Sequence, residues 1–319
     1  MTRFNSGATT LHTTDLNTAS IIKIGAVTDL RVELETETQP DDSGSFYDEA
    51  RSIISQLPTV EWTSKAIGDW LTWIGLEGYC IASDGTHPGL QVYGNVLGDC
   101  KDPPLSTDNV RYTVPTGLIV LGSLRMPRGR DAELSLMCHA ITDGTNAPLS
   151  SAYGSITLPT GLAVAQYTLG HCQVGNVVLT DLADATLNFG VQIAGKTPAQ
   201  GSVWADSVAA RKCQPMLTLS GFDPRVLDDA TGIPQLGKQA THAQTLIQLK
   251  KRAGYAAFVA DATEEHIAIT MGGLAKVTTA FGAAGNSESS TVIVVEGVHD
   301  GTNAPLTWDV ASAYTQLAA

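Results

Sequence analysis

The chain is short of several things at once, and each shortage narrows what it can be. Among 319 residues only five are cysteine (Cys80, Cys100, Cys138, Cys172, Cys213), an odd number with no CxxC pair. That excludes a disulfide framework and argues against a structural zinc site. Basic residues are few: 19 Lys and Arg stand against 32 Asp and Glu, a formal net charge of −13. So acidic a surface has no counterion release to drive it onto nucleic-acid phosphates; it can face DNA without holding it. No apolar run approaches the roughly 18 residues of a membrane span. The polar start of the sequence, MTRFNSGATTLHTTDLNTAS, lacks the charged-then-apolar plan of a signal peptide. These features predict a chain made in a reducing cytoplasm, without a membrane span. With 43% hydrophobic and 16% charged residues, the composition is that of a folded protein.

Catalytic patterns are missing as well. The sequence contains no GxSxG elbow, GxxxxGK[ST] phosphate loop or HExxH helix. Its seven histidines (His12, His87, His139, His171, His242, His266, His299) never pair at i, i+2 or i, i+4. Cys138-His139 and His171-Cys172 are adjacent, so on strands each pair points to opposite faces and cannot clamp one metal. A buried cysteine beside an exposed histidine is expected at both places. Glu264-Glu265 reads as a solvated turn before a strand. Gly272-Gly273 and the glycines of Gly282–Gly285 lack the βαβ setting of a dinucleotide fingerprint. The expectation is a non-enzymatic protein with no cofactor and no metal.

What the sequence does contain is a repeat. Asp-Gly-Thr-Asn-Ala-Pro-Leu occurs at Asp143–Leu149 and again at Asp300–Leu306, an offset of 157 residues. At that offset Gly44-Ser45-Phe46-Tyr47 falls on Gly201-Ser202-Val203-Trp204, and Pro58 on Pro215. Leu30, Val32 and Leu34 fall on Leu187, Phe189 and Val191, Tyr112-Thr113-Val114 on Ile269-Thr270-Met271, and Val120 on Val277. Two tandem copies of one domain are expected, at residues 1–157 and 158–319. Both are acidic, the first with 10 basic and 19 acidic residues and the second with 9 and 13.

Each copy reads as mainly β with short helices, of the sandwich or barrel class. Alternation and β-branched content predict strands over Val27–Glu35, Thr59–Ser64, Tyr112–Leu121 and Glu133–Ile141. Helical spacing predicts helices over Ser45–Gln56, ending before Pro58, over Ser202–Cys213, ending before Pro215, and over Lys238–Ala253. The last of these ends in Lys250-Lys251-Arg252, which would suit the negative pole of a helix. Between strand and helix lie Glu35–Ser45 and Gln192–Ser202, long, polar and rich in turn formers, read as arms reaching out of each domain. The alternative is a solvated surface hairpin. In the repeated heptapeptide, Asp143, Gly144, Asn146 and Pro148, and again Asp300, Gly301, Asn303 and Pro305, read as a turn that launches a further strand. Asp and Asn alone supply too few oxygens there for a calcium loop.

The order of long alternating strand, acidic arm, short helix, Pro-led strand (Pro58–Ser64) and late strand ending in Asp-Gly-Thr-Asn-Ala-Pro-Leu resembles bacteriophage tail tube (major tail) proteins. The stretch from Pro115-Thr116-Gly117-Leu118 through Glu133-Leu134-Ser135 to the heptapeptide is similar to their late strands. The resemblance implies a structural virion protein of the phage tail, assembled in the host bacterial cytoplasm and polymerised into stacked rings around a lumen for genome delivery. Six domains per ring would make this duplicated chain a trimer with pseudo-sixfold symmetry. Rings would stack through the arms, with Glu35, Glu37, Asp41, Asp42, Gln192 and Lys196 as contact candidates. The partners implied are further copies of the chain, a tape-measure protein, tail terminator and tail-tip proteins, and double-stranded DNA that passes without specific binding. Glu33 and Glu35 alternate with Val32 and Leu34, which makes them candidates for the lumen wall; an ordinary solvated outer face is the alternative. The competing reading of the whole chain is a two-domain β-sandwich for capsid decoration or surface adhesion, against which the low aromatic content of 6% weighs.

Overall fold

The computed structural model describes residues 3–15, 18–25, 27–41, 50–83, 88–97, 108–159, 165–179, 181–196, 202–227, 233, 240–253, 257–280 and 291–315. They are mainly antiparallel β. The strands of the first half are β1 (Arg3–Asp15), β2 (Thr18–Ile24), β3 (Val27–Glu33), β4 (Thr36–Asp41), β5 (Ala50–Gln56), β6 (Thr59–Ser64), β7 (Tyr79–Ala82), β8 (Leu90–Leu97), β9 (Asp108–Val114), β10 (Thr116–Pro127), β11 (Glu133–Ile141) and β12 (Ser150–Ser155). The second half supplies β13 (Tyr167–Val174), β14 (Val177–Val178), β15 (Asp184–Asn188), β16 (Val191–Lys196), β17 (Ser207–Cys213), β18 (Met216–Ser220), β19 (Ala240–Lys251), β20 (His266–Thr279), β21 (Val292–Gly297) and β22 (Leu306–Ser312). One α-helix, α1 (Ile67–Trp73), and one 3-10 turn, Pro224–Val226, complete the described elements.

The halves run through the same pairings. In the first, β3, β6, β11 and β10 lie side by side; in the second, β15, β18, β21 and β20 do. A second layer is ordered β12-β9-β8-β1-β2 in the first half and β22-β20-β19-β13-β14 in the second. The residue between β9 and β10 is Pro115, which has no N–H for a ladder. The chain breaks there into two strands, whereas β20 runs unbroken and belongs to both layers. Tyr112–Leu121 is therefore two strands rather than one.

Registers repeat as well. Ser150 faces Thr113 as Thr307 faces Thr270, and Thr59 faces His139 as Met216 faces Glu296, both at the 157-residue offset. Two expected alignments shift. Glu33 faces Thr59 as Asn188 faces Met216, so Val32 corresponds to Leu187 and Leu34 to Phe189. Glu35 and Gly190 stand at that same offset: both have positive φ, 20° and 62°, and both accept a backbone hydrogen bond, from Leu57 and Gln214. Likewise Gly117 faces Ala140 as Gly273 faces Gly297, which sets Leu121, not Val120, against Val277.

All three expected helices are corrected where described. Residues 50–56 and 207–213 are the strands β5 and β17, which return against β4 and β16 as two-stranded hairpins. In the first of these burial imposes no alternation: Ile53 and Ile54, neighbours in sequence, are 46% and 40% exposed. The residues that made Lys238–Ala253 look helical belong to β19, where Thr245, Ile247 and Leu249 are buried on one face and Gln248 on the other. The helix that does form carries Ile67, Trp70, Leu71 and Ile74 on one buried face at the 3, 4, 7 spacing.

The core is continuous between the halves. Trp62 packs on Trp70 with ring centroids 5.5 Å apart. From the second half, Trp308 Nε1 donates to the Leu71 carbonyl at 2.9 Å. The ring of Tyr167 lies so close to Gly68 that a Cβ there would sit 2.5 Å from its hydroxyl oxygen. Among the described residues no helix is long and apolar enough to cross a membrane.

Candidate functional site

The sheet that crosses both halves has one polar face, and a seam of paired strands joins the halves. Along β6 the side chains of Val60, Trp62 and Ser64 are buried while Glu61 and Thr63 are partly exposed. The same alternation holds on β11, β15, β18 and β21. One face is thus core, and the other presents Asp29, Glu33, Glu61, Glu133, Asp184 and Glu296 against Arg31, Arg125 and Lys276. The bases are engaged with acids: Arg31 with Glu33, Arg125 with Asp184 at 3.9 Å, and Lys276 with Glu296. The excess charge of the face is negative.

Glu33 lies on this face. Glu35 sits just beyond the end of β3, its carboxyl pushed above the ordinary value by partial burial first, then by the charges of Glu33 and Glu61. Sequence reasoning selected Glu33 and Glu35 and missed Glu61, Asp184 and Glu296. The signal for Glu61 was present, since it stands between Val60 and Trp62 in a strand whose bounds were read correctly.

The arm candidates fall on the hairpins. Glu37 is exposed on β4, where its carboxylate accepts from Ser55 Oγ at 3.2 Å. Asp41 ends β4, and Asp42 lies outside the described residues. Gln192 and Lys196 are exposed on β16. The two hairpins touch at their bases: Gln56 N–H donates to the Val203 carbonyl at 2.6 Å, and Trp204 Nε1 donates to Gln56 Oε1 at 3.1 Å.

Both heptapeptides form the same turn. Asp143 Oδ1 accepts from the N–H groups of Thr145 and Asn146 at 2.8 and 2.6 Å, and Asn146 Nδ2 donates to Oδ2 at 2.7 Å. Asp300 does the same with Thr302 and Asn303 at 2.8, 2.6 and 2.7 Å. These donors hold both carboxyls near 2. Gly144 and Gly301 supply φ of 89° and 92°. Pro148 is buried, and Pro305 accepts at its carbonyl from the Gly272 N–H at 3.0 Å. Strands β12 and β22 follow the two turns.

The seam pairs β10 with β15: Ser123 faces Asn188, Leu124 faces Leu187, and Met126 faces Ala185. Phe189 N–H donates to the Gly122 carbonyl at 3.1 Å, and Arg128 N–H to the Ala183 carbonyl at 2.9 Å. Beside it Asp131 receives Lys65 from its own half and Arg252 from the other, each at 3.3 Å. The basic triplet expected to end a helix is thus a set of strand-end ion pairs. Lys250 meets Asp261 at 2.5 Å, Lys251 meets Glu265 at 2.6 Å, and Arg252 also donates to Thr168 Oγ1 at 3.0 Å.

Of the sulfur and imidazole pairs, Cys138 and Cys172 are buried, and burial raises both thiols, Cys172 to about 12. His139, expected to be exposed, is buried at 7% exposure, and that burial lowers its pKa. Among the described residues no three His, Cys, Asp or Glu side chains gather in a way that could hold a metal. No family model matches the chain, and no curated protein matches it.

Proposed function

We propose that this is a self-assembling structural protein, a tandem duplication of one β domain, that polymerises into the stacked rings of a phage tail tube. The observation that carries the reading is the recurrence of one set of strand pairings in both halves, joined so that a single acid-rich face runs across the seam. A duplicated domain whose copies meet edge to edge already contains one instance of the contact that a ring repeats. A lumen that passes a duplex must not hold phosphates, and an acidic face with its few bases engaged by carboxylates meets that need. The hairpins β4–β5 and β16–β17 are the stacking elements in this reading. Three chains per ring would present six domains around the lumen. Further partners would be a tape-measure protein, a terminator and tail-tip proteins.

Sedimentation velocity over rising protein concentration tests it. A tube protein is expected to grow past the trimer into large species. A single species that stays fixed in size at every concentration would overturn tube assembly and favour capsid decoration.

A further inference from the structure

We infer that the outer edge of β3 is a docking site for a second copy of this chain, whose β20 end pairs with it in the register of the internal seam. The inference rests on the self-assembly reading above and adds the residues and the register. Its starting point is an asymmetry between two corresponding strands. β15 is paired on both sides, by β18 and β10. β3 is paired by β6 on one side, and over Asp29–Glu33 no strand among the described residues pairs its other side.

Burial follows that difference position by position. Ala185, Leu187 and Phe189 are 0%, 1% and 1% exposed. Their counterparts Leu30 and Val32 are only partly buried, and Leu34 is 57% exposed. An edge that no described strand pairs, beside an apolar side chain this exposed, suits strand addition, in which backbone hydrogen bonds and apolar burial form together.

The occupant is specified by the seam. Strand β10 covers β15, and the counterpart of β10 is the second part of β20, at an offset of 156 set by Gly117 and Gly273. Ser123 facing Asn188 becomes Thr279 facing Glu33 of the next chain. Leu124 facing Leu187 becomes Ala280 facing Val32. The hydrogen bond from Phe189 N–H to the Gly122 carbonyl becomes one from Leu34 N–H to the Thr278 carbonyl. Because the surfaces at the two ends differ, the contact is head to tail, and repeating it closes a ring when the rotation per chain divides the circle.

Cysteine pairing tests the register. Residues directly opposite on antiparallel strands have Cα atoms about 4.5–5.5 Å apart, within disulfide reach. Glu33→Cys combined with Thr279→Cys, oxidised at a concentration where the chain associates, is expected to give a ladder of covalent multimers on a non-reducing gel, and neither single variant should. Ser123→Cys with Asn188→Cys, the corresponding pair inside one chain, is the positive control and should close without forming multimers. Sedimentation of the same samples separates the two claims. Large assemblies without a ladder would overturn this register and leave self-assembly standing. Monomers without a ladder, with the control closed, would overturn both.

Discussion

Replacing Gly190 by alanine should destabilise the chain by about 2–4 kcal/mol, because two penalties meet at one residue. Gly190 has φ of 62°, where a side chain costs roughly 1–2 kcal/mol. A Cβ placed there would lie 2.0 Å from the Gln214 carbonyl oxygen, closer than any contact allows. Relieving that clash means separating the segments that the Gln214 N–H to Gly190 carbonyl bond holds at 3.1 Å, a further loss of about 1 kcal/mol. At the corresponding position of the first half the residue is Glu35, with φ of 20°. Glu35→Gly therefore releases strain, offset by the roughly 0.5–1 kcal/mol by which glycine's extra freedom stabilises the unfolded chain. The second change is expected to be neutral to mildly stabilising. Urea denaturation of both variants, at a concentration where the chain is dispersed, measures the contrast. A Gly190→Ala variant within about 0.5 kcal/mol of the parent would refute the correspondence of these residues as sites of constrained backbone.

Other consequences follow from the same geometry. Leu187→Ala, which empties the seam opposite Leu124, should cost about 2–5 kcal/mol by denaturation, whereas Val32→Ala on the open edge should cost visibly less in the dispersed chain. Glu35 has a raised pKa, so the folded state binds its proton more tightly. The stability this gives is present below the ordinary value of 4.5 and lost as pH rises through the raised folded value; Glu35→Gln should flatten that part of a stability–pH profile. Asp143 and Asp300 have the opposite sign: their contribution is present above the ordinary value of 3.8 and lost as pH falls through about 2, so NMR titration should find both carboxyls ionised at pH 3. Glu33→Lys with Glu61→Lys should make assembled particles retain duplex DNA at low salt and release it as salt rises.

How much of this was legible in the sequence depended on what each segment buries. Strands with one face in the core announced themselves: Thr59–Ser64 and Glu133–Ile141 were read to the residue because burial enforces alternation there. The hairpin strand β5 looks helical because its neighbours Ile53 and Ile54 are both exposed, and β17 because its alternate residues Val208 and Ala210 are only partly buried. β19 was misread because both its faces are partly covered, which erases the period of two. In the repeated turns Asp-Gly fixes local geometry without tertiary help, while the Asp–Asn hydrogen bonds emerge only in the structure. The charged face was half legible: alternation singles out Glu33 and carries the same signal, unused, at Glu61, but only a known strand order brings Asp184 and Glu296 onto the same surface. The seam was not legible at all, because it joins strands about 60 residues apart in sequence through a register no local pattern encodes.

If equivalent edge contacts assemble this chain around a lumen, electron microscopy of particles seen end on will reveal it. Tube assembly gives a hollow centre surrounded by six similar densities, with mass measurement giving three chains per ring. Solid particles, or a discrete species with no central hole at any concentration, would contradict it.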